Sequence, residues 1–210
     1  MNQASRTWLT LCALHGVASM LMWWADDPVV DALTWRADNW LQQPWTLWTS
    51  PWVHMNTPQL IGNQVALGAL AAFAWTIRPT LACALAWLLA WPLMQLSLLL
   101  WPQIGYAVGL SGLLHAGAMV LAVQLVLKRI AVPKARRWGA LLALALLAKL
   151  VLEGGWSYPV VWDAGSNMSV VQAAHLAGAF WGTLLGLALG RRTRSQPAGA
   201  PVDSTLAPLR

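Results

Sequence analysis

Six apolar runs, at about residues 8–25, 58–77, 80–100, 108–127, 138–153 and 169–190, dominate this chain. Each approaches the roughly 20 residues that an α-helix needs to cross the hydrocarbon of a bilayer. Backbone placed there must satisfy its own N–H and C=O groups, so the runs read as six spanning helices. They take up more than half of the 210 residues, and the composition agrees: 58% hydrophobic and 10% charged. Pro58 and Pro79 punctuate the second and third runs, with Thr57 expected as the N-cap ahead of Pro58. The first run follows a single arginine, Arg6, and ends in WWADDP with no A-x-A cleavage pattern. It reads as a retained helix and not as a removed signal peptide.

Lysines and arginines collect in cytoplasmic loops, so their placement predicts orientation. With the N-terminus inside, Arg6, Arg78, Lys128, Arg129, Lys134, Arg136, Arg137, Arg191, Arg192, Arg194 and Arg210 are cytoplasmic, and only Arg36 falls in an outer loop. Asp26, Asp27, Asp31, Asp38 and Asp163 fall outside, with Glu153 at the outer end of the fifth run. The net charge of +6 is therefore a topology signal, and nucleic acid is not an expected partner. The expected domain covers residues 1–190. The tail, 191–210, is rich in Pro, Ala and Ser, and is expected to be cytoplasmic and disordered.

Between the first two runs, Trp35, Trp40, Trp45, Trp48 and Trp52 stand among polar residues. Tryptophan favours the headgroup layer, so this segment is either a structured outer loop or a plain interfacial belt. Cys12 and Cys83 lie in apolar surroundings and suggest neither a disulfide nor a nucleophile.

Polar residues at membrane depth point to function, and here they gather at the predicted outer halves of three runs. Ser111 begins the fourth, in GLSGLLHAG; His175 lies about two turns into the sixth; Gln59 and Asn63 share one face of the second. Singly, each has a plainer role: a serine bonding back to a carbonyl, an amide joining helices, or, for His15, a structural hydrogen bond. Together they supply a nucleophile, a base and donors for an oxyanion, the three parts that metal-free peptide hydrolysis needs. No H-E-x-x-H motif occurs and no acid lies deep in a run, which removes zincin and aspartyl chemistry. No metal or other cofactor is expected.

Gly109 and Gly112 clear bulk around Ser111, and the start of a helix directs free N–H groups and positive partial charge at a developing oxyanion. Gly178, Gly182, Gly186 and Gly190 recur every fourth residue, a smooth stripe that allows another helix to approach closely. His115, one turn from Ser111, is poorly placed to take its proton along the same helix, and is assigned to packing or hydrogen bonding beside His175. Lys149 and Glu153, one turn apart, either form an ion pair or reach separately to headgroups. With no acid expected to orient His175, the predicted machine is a Ser111–His175 dyad.

In order along the chain, WTLWTSPWVHMNTPQLIGN, GLSGLLHAG and AAHLAGAFWG resemble the rhomboid intramembrane serine proteases. The resemblance implies a six-helix rhomboid-like bundle with a structured outer loop between helices 1 and 2. It implies Ser111 of G-x-S-G as nucleophile, His175 as base, His54 organising the outer loop, and Asn63 with residue 59 donating to the oxyanion. Where the family carries a second histidine in H-x4-H-x3-N, this chain has Gln59, whose amide can still donate. The histidine four residues after the serine, the short chain and LLAKLVLEGG look most like rhombosortases. These act on exported bacterial proteins ending in a Gly-Gly motif, a transmembrane helix and a basic cluster. That implies a bacterial inner-membrane protein with both termini cytoplasmic and its site facing the periplasm. The rival readings are a pseudoprotease that binds transmembrane helices without cutting them, and a small transporter or scaffold.

Overall fold

The computed structural model describes residues 3–165 and 167–189. The expected disordered tail and Gly190 lie outside them. Six long helices follow the six apolar runs: α1 (Gln3–Met22), α4 (Thr57–Ile77), α5 (Leu81–Ser97), α6 (Ser111–Val126), α7 (Ala135–Glu153) and α8 (Gln172–Ala188). Between α1 and α4 come the short α2 (Asp27–Leu33), β1 (Trp35–Arg36), α3 (Thr46–Thr49) and a 3-10 turn, Ser50–Trp52. A second 3-10 turn, Leu98–Leu100, extends α5, and β2 (Tyr106–Ala107) precedes α6. β3 (Val161–Asp163) and β4 (Met168–Val170) form an antiparallel hairpin ahead of α8. The described residues are thus mostly helical, as expected, with four short strands too brief to carry an alternating pattern.

Thr57–Ile77 and Leu81–Leu100 are long and apolar enough to cross a membrane, and Ser111–Val126 is apolar but shorter. The other long helices carry more polar character or less length: α7 includes Arg136, Arg137, Lys149 and Glu153, and α8 has 17 residues. Large apolar side chains stand exposed on α1 (Leu14, Val17), α4 (Ile61, Val65), α7 (Leu144, Leu147, Leu152) and α8 (Phe180, Leu184). No residue of α6 is exposed. The nucleophile candidate therefore begins a helix wrapped by the others.

Glycine explains why α8 can lie against α6. A Cβ on Gly178 would fall on the carbonyl oxygen of Gly112, and one on Gly182 on that of Ala116. Reciprocally, a Cβ on Gly112 would sit 2.7 Å from the Ala174 carbonyl oxygen. The two backbones touch, as small residues spaced by four allow. The N-terminal side is held by aromatics. Trp8 stacks on Trp87 at 4.5 Å, and Trp87 Nε1 donates to the Leu113 carbonyl at 2.8 Å. Buried His15 accepts from Trp52 Nε1 at 3.1 Å, and Cys12 and Cys83 are buried and free.

Helix ends depart from expectation by small steps with clear causes. Asn56 caps α4, its side-chain oxygen accepting from Gln59 N at 2.9 Å, so Thr57 is the first helical residue and not the cap. α8 begins only at Gln172, because the hairpin takes up the preceding residues, so His175 sits in its first turn and not two turns in.

Candidate active site

Ser111 owes its position to a backbone clamp. β1 pairs with β2, Trp35 against Ala107, and Ala37 N donates to the Gly105 carbonyl at 2.9 Å. Gly109 N donates to the Ser50 carbonyl at 3.2 Å, and Ser50 is itself held by Gln95. Gly109 then turns with φ +99°, a conformation that L side chains rarely adopt, and a Cβ there would also lie 2.5 Å from Gln59 Nε2. Two residues later α6 starts at Ser111 with no side-chain cap, leaving its first-turn N–H groups for a ligand.

The hydroxyl of Ser111 lies 2.8 Å from His175 Nε2. On the other side of the ring, Nδ1 lies 2.9 Å from Glu153 Oε2. An ionised carboxylate only accepts, so Nδ1 carries the proton, Nε2 keeps its lone pair, and the Ser111 hydroxyl donates to it. That is the tautomer a general base needs. Glu153 corrects the expectation that no acid orients His175. It also forms the ion pair with Lys149 on the same helix face. The acid reaches His175 because α7 ends there: Gly154, at φ +63°, turns the chain, and Gly155 packs so closely on Gln172 that a Cβ would lie 2.8 Å from its carbonyl oxygen. His175 is 4% exposed, shielded by His115, whose ring stacks on it at 4.4 Å and 14°. His115 Nδ1–H donates to the Ser111 carbonyl at 2.7 Å, so His115 turns no proton acceptor towards the Ser111 hydroxyl through that atom.

The donor candidates stand on α4. Met55 N donates to Gln59 Oε1 at 2.8 Å, which fixes the amide and directs Nε2 towards Val108 O, 3.4 Å away, and Gly109. His54 Nδ1–H donates to the Trp52 carbonyl at 3.0 Å, so its Nε2 accepts from Asn63 Nδ2, also at 3.0 Å. Burial lowers the His54 pKa to about 4, partly offset by the Trp52 carbonyl, and the neutral ring keeps the Asn63 amide oriented. Gln59, Asn63, Gly109, Ser111 and His175 all line one cavity of about 350 Å³, bounded on the far side by Val160 and β4.

A family profile described as the Rhomboid domain matches residues 41–192. The chain belongs to the rhomboid family. No curated protein matches it to a significant degree. Rhomboid proteins are membrane-embedded, and the family comprises intramembrane serine proteases, which act on transmembrane substrates within the bilayer, and pseudoproteases.

In this rhomboid protein Gln59, Asn63, Gly109, Ser111 and His175 come together around one cavity, and His54 and His115 stand behind it, each bonded to a residue that lines it. Gly112 and Gly178 contribute through the α6–α8 contact and not through the cavity. His115, Glu153 and His175 offer metal-type donor atoms within 4.8 Å of one another. Two of those donors are taken up by the Ser111–His175–Glu153 contacts, and the Lys149 ammonium already occupies the same carboxylate. The set fits a hydrogen-bonded Ser–His–carboxylate array better than a cation site. Glu153 was legible in sequence only as the partner of Lys149. The signal for its second contact is the Gly-Gly that follows it.

Proposed function

We propose that this protein is an active intramembrane serine endopeptidase with Ser111 as nucleophile and His175 as base. The observation that carries the reading is the 2.8 Å contact from Ser111 Oγ to a His175 Nε2 whose other nitrogen is already engaged. As Oγ attacks the substrate carbonyl, its proton passes to Nε2. The oxyanion is met by the α6 N-terminal amides and the Asn63 and Gln59 side chains. His175 then protonates the leaving amine, and water resolves the acyl-enzyme by the reverse use of the same base.

The substrate is a transmembrane segment that unwinds locally, because a helical carbonyl is held in its own i to i−4 ladder. Gly-Gly lowers helix stability by about 1 kcal/mol per residue relative to Ala, so such a motif marks a cuttable point. We therefore assign a rhombosortase-like preference for C-terminal Gly-Gly signals on exported proteins. The protein would sit in the bacterial inner membrane as six spans over residues 1–190. The charge asymmetry supports both termini cytoplasmic, the 26–57 segment in the outer leaflet and the cavity facing the periplasm. A helix-binding pseudoprotease is the rival reading, favoured by Gln59 in place of the family's histidine.

Co-expression with a Gly-Gly-tailed membrane substrate tests the proposal. Cleavage should be seen with the wild type and lost in Ser111→Ala and His175→Ala. Cleavage surviving in both variants overturns the mechanism, and no cleavage by a folded wild type favours the pseudoprotease.

A further inference from the structure

The LLAKLVLEGG stretch ends α7 and has no part in a two-residue machine. Its Glu153 side chain is 19% exposed, with one carboxylate oxygen on His175 Nδ1 and the other on Lys149. Both contacts follow from the local sequence. Glu153 is the last helical residue of α7, one turn after Lys149, so the two share a face. The left-handed turn at Gly154 and the bare Cα of Gly155 then bring this helix end against the first residue of α8, three before His175.

We infer that Glu153 is the positioning residue of a Ser111–His175–Glu153 triad, with Lys149 holding the carboxylate in place. The inference rests on the proteolytic reading above. Glu153 stays ionised throughout. It accepts the Nδ1 hydrogen bond before the reaction, which selects the tautomer with a free Nε2. When Nε2 takes the Ser111 proton, it faces the imidazolium with a full negative charge. No proton moves to Glu153, and no other reactant is needed. Among the described residues, His115 from α6 stacks on His175 and Glu153, paired with Lys149, from α7 contacts its ring nitrogen, while Asp163 of β3 lines the same cavity. Of the groups in contact with the ring, Glu153 bears the sign that stabilises an imidazolium. Lys149, half exposed, opposes it weakly.

The test compares full-length wild type, Glu153→Gln, Glu153→Asp and Lys149→Met in detergent or liposomes. It measures cleavage of a transmembrane peptide and labelling of Ser111 by a fluorophosphonate probe across pH. In other serine hydrolases, loss of the orienting carboxylate costs about 10⁴-fold in turnover. Glu153→Gln should lower kcat by about 10²- to 10⁴-fold with little change in KM, and move the acid limb of the pH–rate profile to lower pH. Glu153→Asp should recover part of the loss, and Lys149→Met should move the acid limb to higher pH. A merely structural role would not produce opposite displacements. Glu153→Gln within threefold of wild type, with its acid limb unmoved, overturns the inference.

A second readout does not depend on turnover: the Nδ1 proton resonance of His175, followed by NMR in selectively labelled protein. It should move upfield in Glu153→Gln. Should a folded wild type neither cleave nor label, the proteolytic reading falls on its own. The NMR result then still decides the contact, because an unmoved resonance refutes it and a moved one upholds it.

Discussion

Gly112→Ala tests whether the α6–α8 contact sets the catalytic distance. A Cβ at residue 112 would stand 2.7 Å from the Ala174 carbonyl oxygen and 2.6 Å from Met94 Sδ. The methionine can swing away; the Ala174 carbonyl is helix backbone and cannot. Opening that contact to 3.0 Å, the limit that real Cβ atoms observe, takes about 0.3 Å, and ordinary contact at 3.4 Å takes about 0.7 Å. Ala174 is bonded to His175, so the displacement passes directly into a hydrogen bond now 2.8 Å long. That range is the margin within which catalytic groups must be held, and a misplacement near 1 Å costs about 10²-fold. We expect the Ser111 labelling rate to fall by about 10- to 100-fold. Overpacking should cost about 1–3 kcal/mol, leaving a folded protein of lower melting temperature. Gly178→Ala, whose Cβ would fall directly on the Gly112 carbonyl oxygen, should be worse on both counts. A Gly112→Ala protein that is folded and labelled at the wild-type rate would refute the reasoning.

Other outcomes follow from single contacts. Asn63→Ala should lower turnover by about 10²- to 10³-fold, the usual cost of one oxyanion donor, and Gln59→Ala should also lower it with little change in melting temperature; unchanged turnover removes either residue from the donor set. Gly109→Ala places a side chain at φ +99° and against Gln59 Nε2, so it should destabilise the protein by about 1–3 kcal/mol and abolish labelling, as thermal melts and probe gels would report. Burial holds the His54 pKa at about 4, below its ordinary value of 6.5. The unfolded chain therefore binds the proton first as pH falls, so the contribution of neutral His54 is whole above pH 6.5 and is lost between 6.5 and about 4. His54→Gln should flatten thermal stability across that window, and parallel wild-type and variant curves would contradict this.

What could be read from the chain alone depended on whether meaning was local. Ser111 and its glycines are adjacent in sequence, and the four-residue spacing of Gly178 and Gly182 announces a contact whatever the partner. The six apolar runs likewise coincide with the six long helices, since apolar length needs no tertiary context. Glu153 was different. Its contact with His175 crosses 22 residues and exists because Gly154 and Gly155 fold the end of α7 onto α8; the nearer Lys149 accounted for the charge locally and hid the second partner. The β3–β4 hairpin escaped for another reason, since three-residue strands carry no periodicity, and its presence shortened α8 and moved His175 to the first turn. The Asn56 cap was displaced by one residue because Thr57 and Asn56 are both good cap residues, and only the bond to Gln59 N distinguishes them.

The wrapping of α6 and the bareness of α7 divide the site into unequal halves. Ser111 begins a helix with no exposed residue, whereas of α7 only Ala135, Gly139 and Leu150 are buried. Amide hydrogens of α6 should therefore exchange only on global opening, while those of α7 exchange through local excursions of its C-terminal end. In the six-span placement proposed above, bilayer thickness and lipid packing would press on α7 and scarcely on α6, so the surrounding acyl chains would modulate how long the His175 imidazole stays aligned while leaving Ser111 fixed.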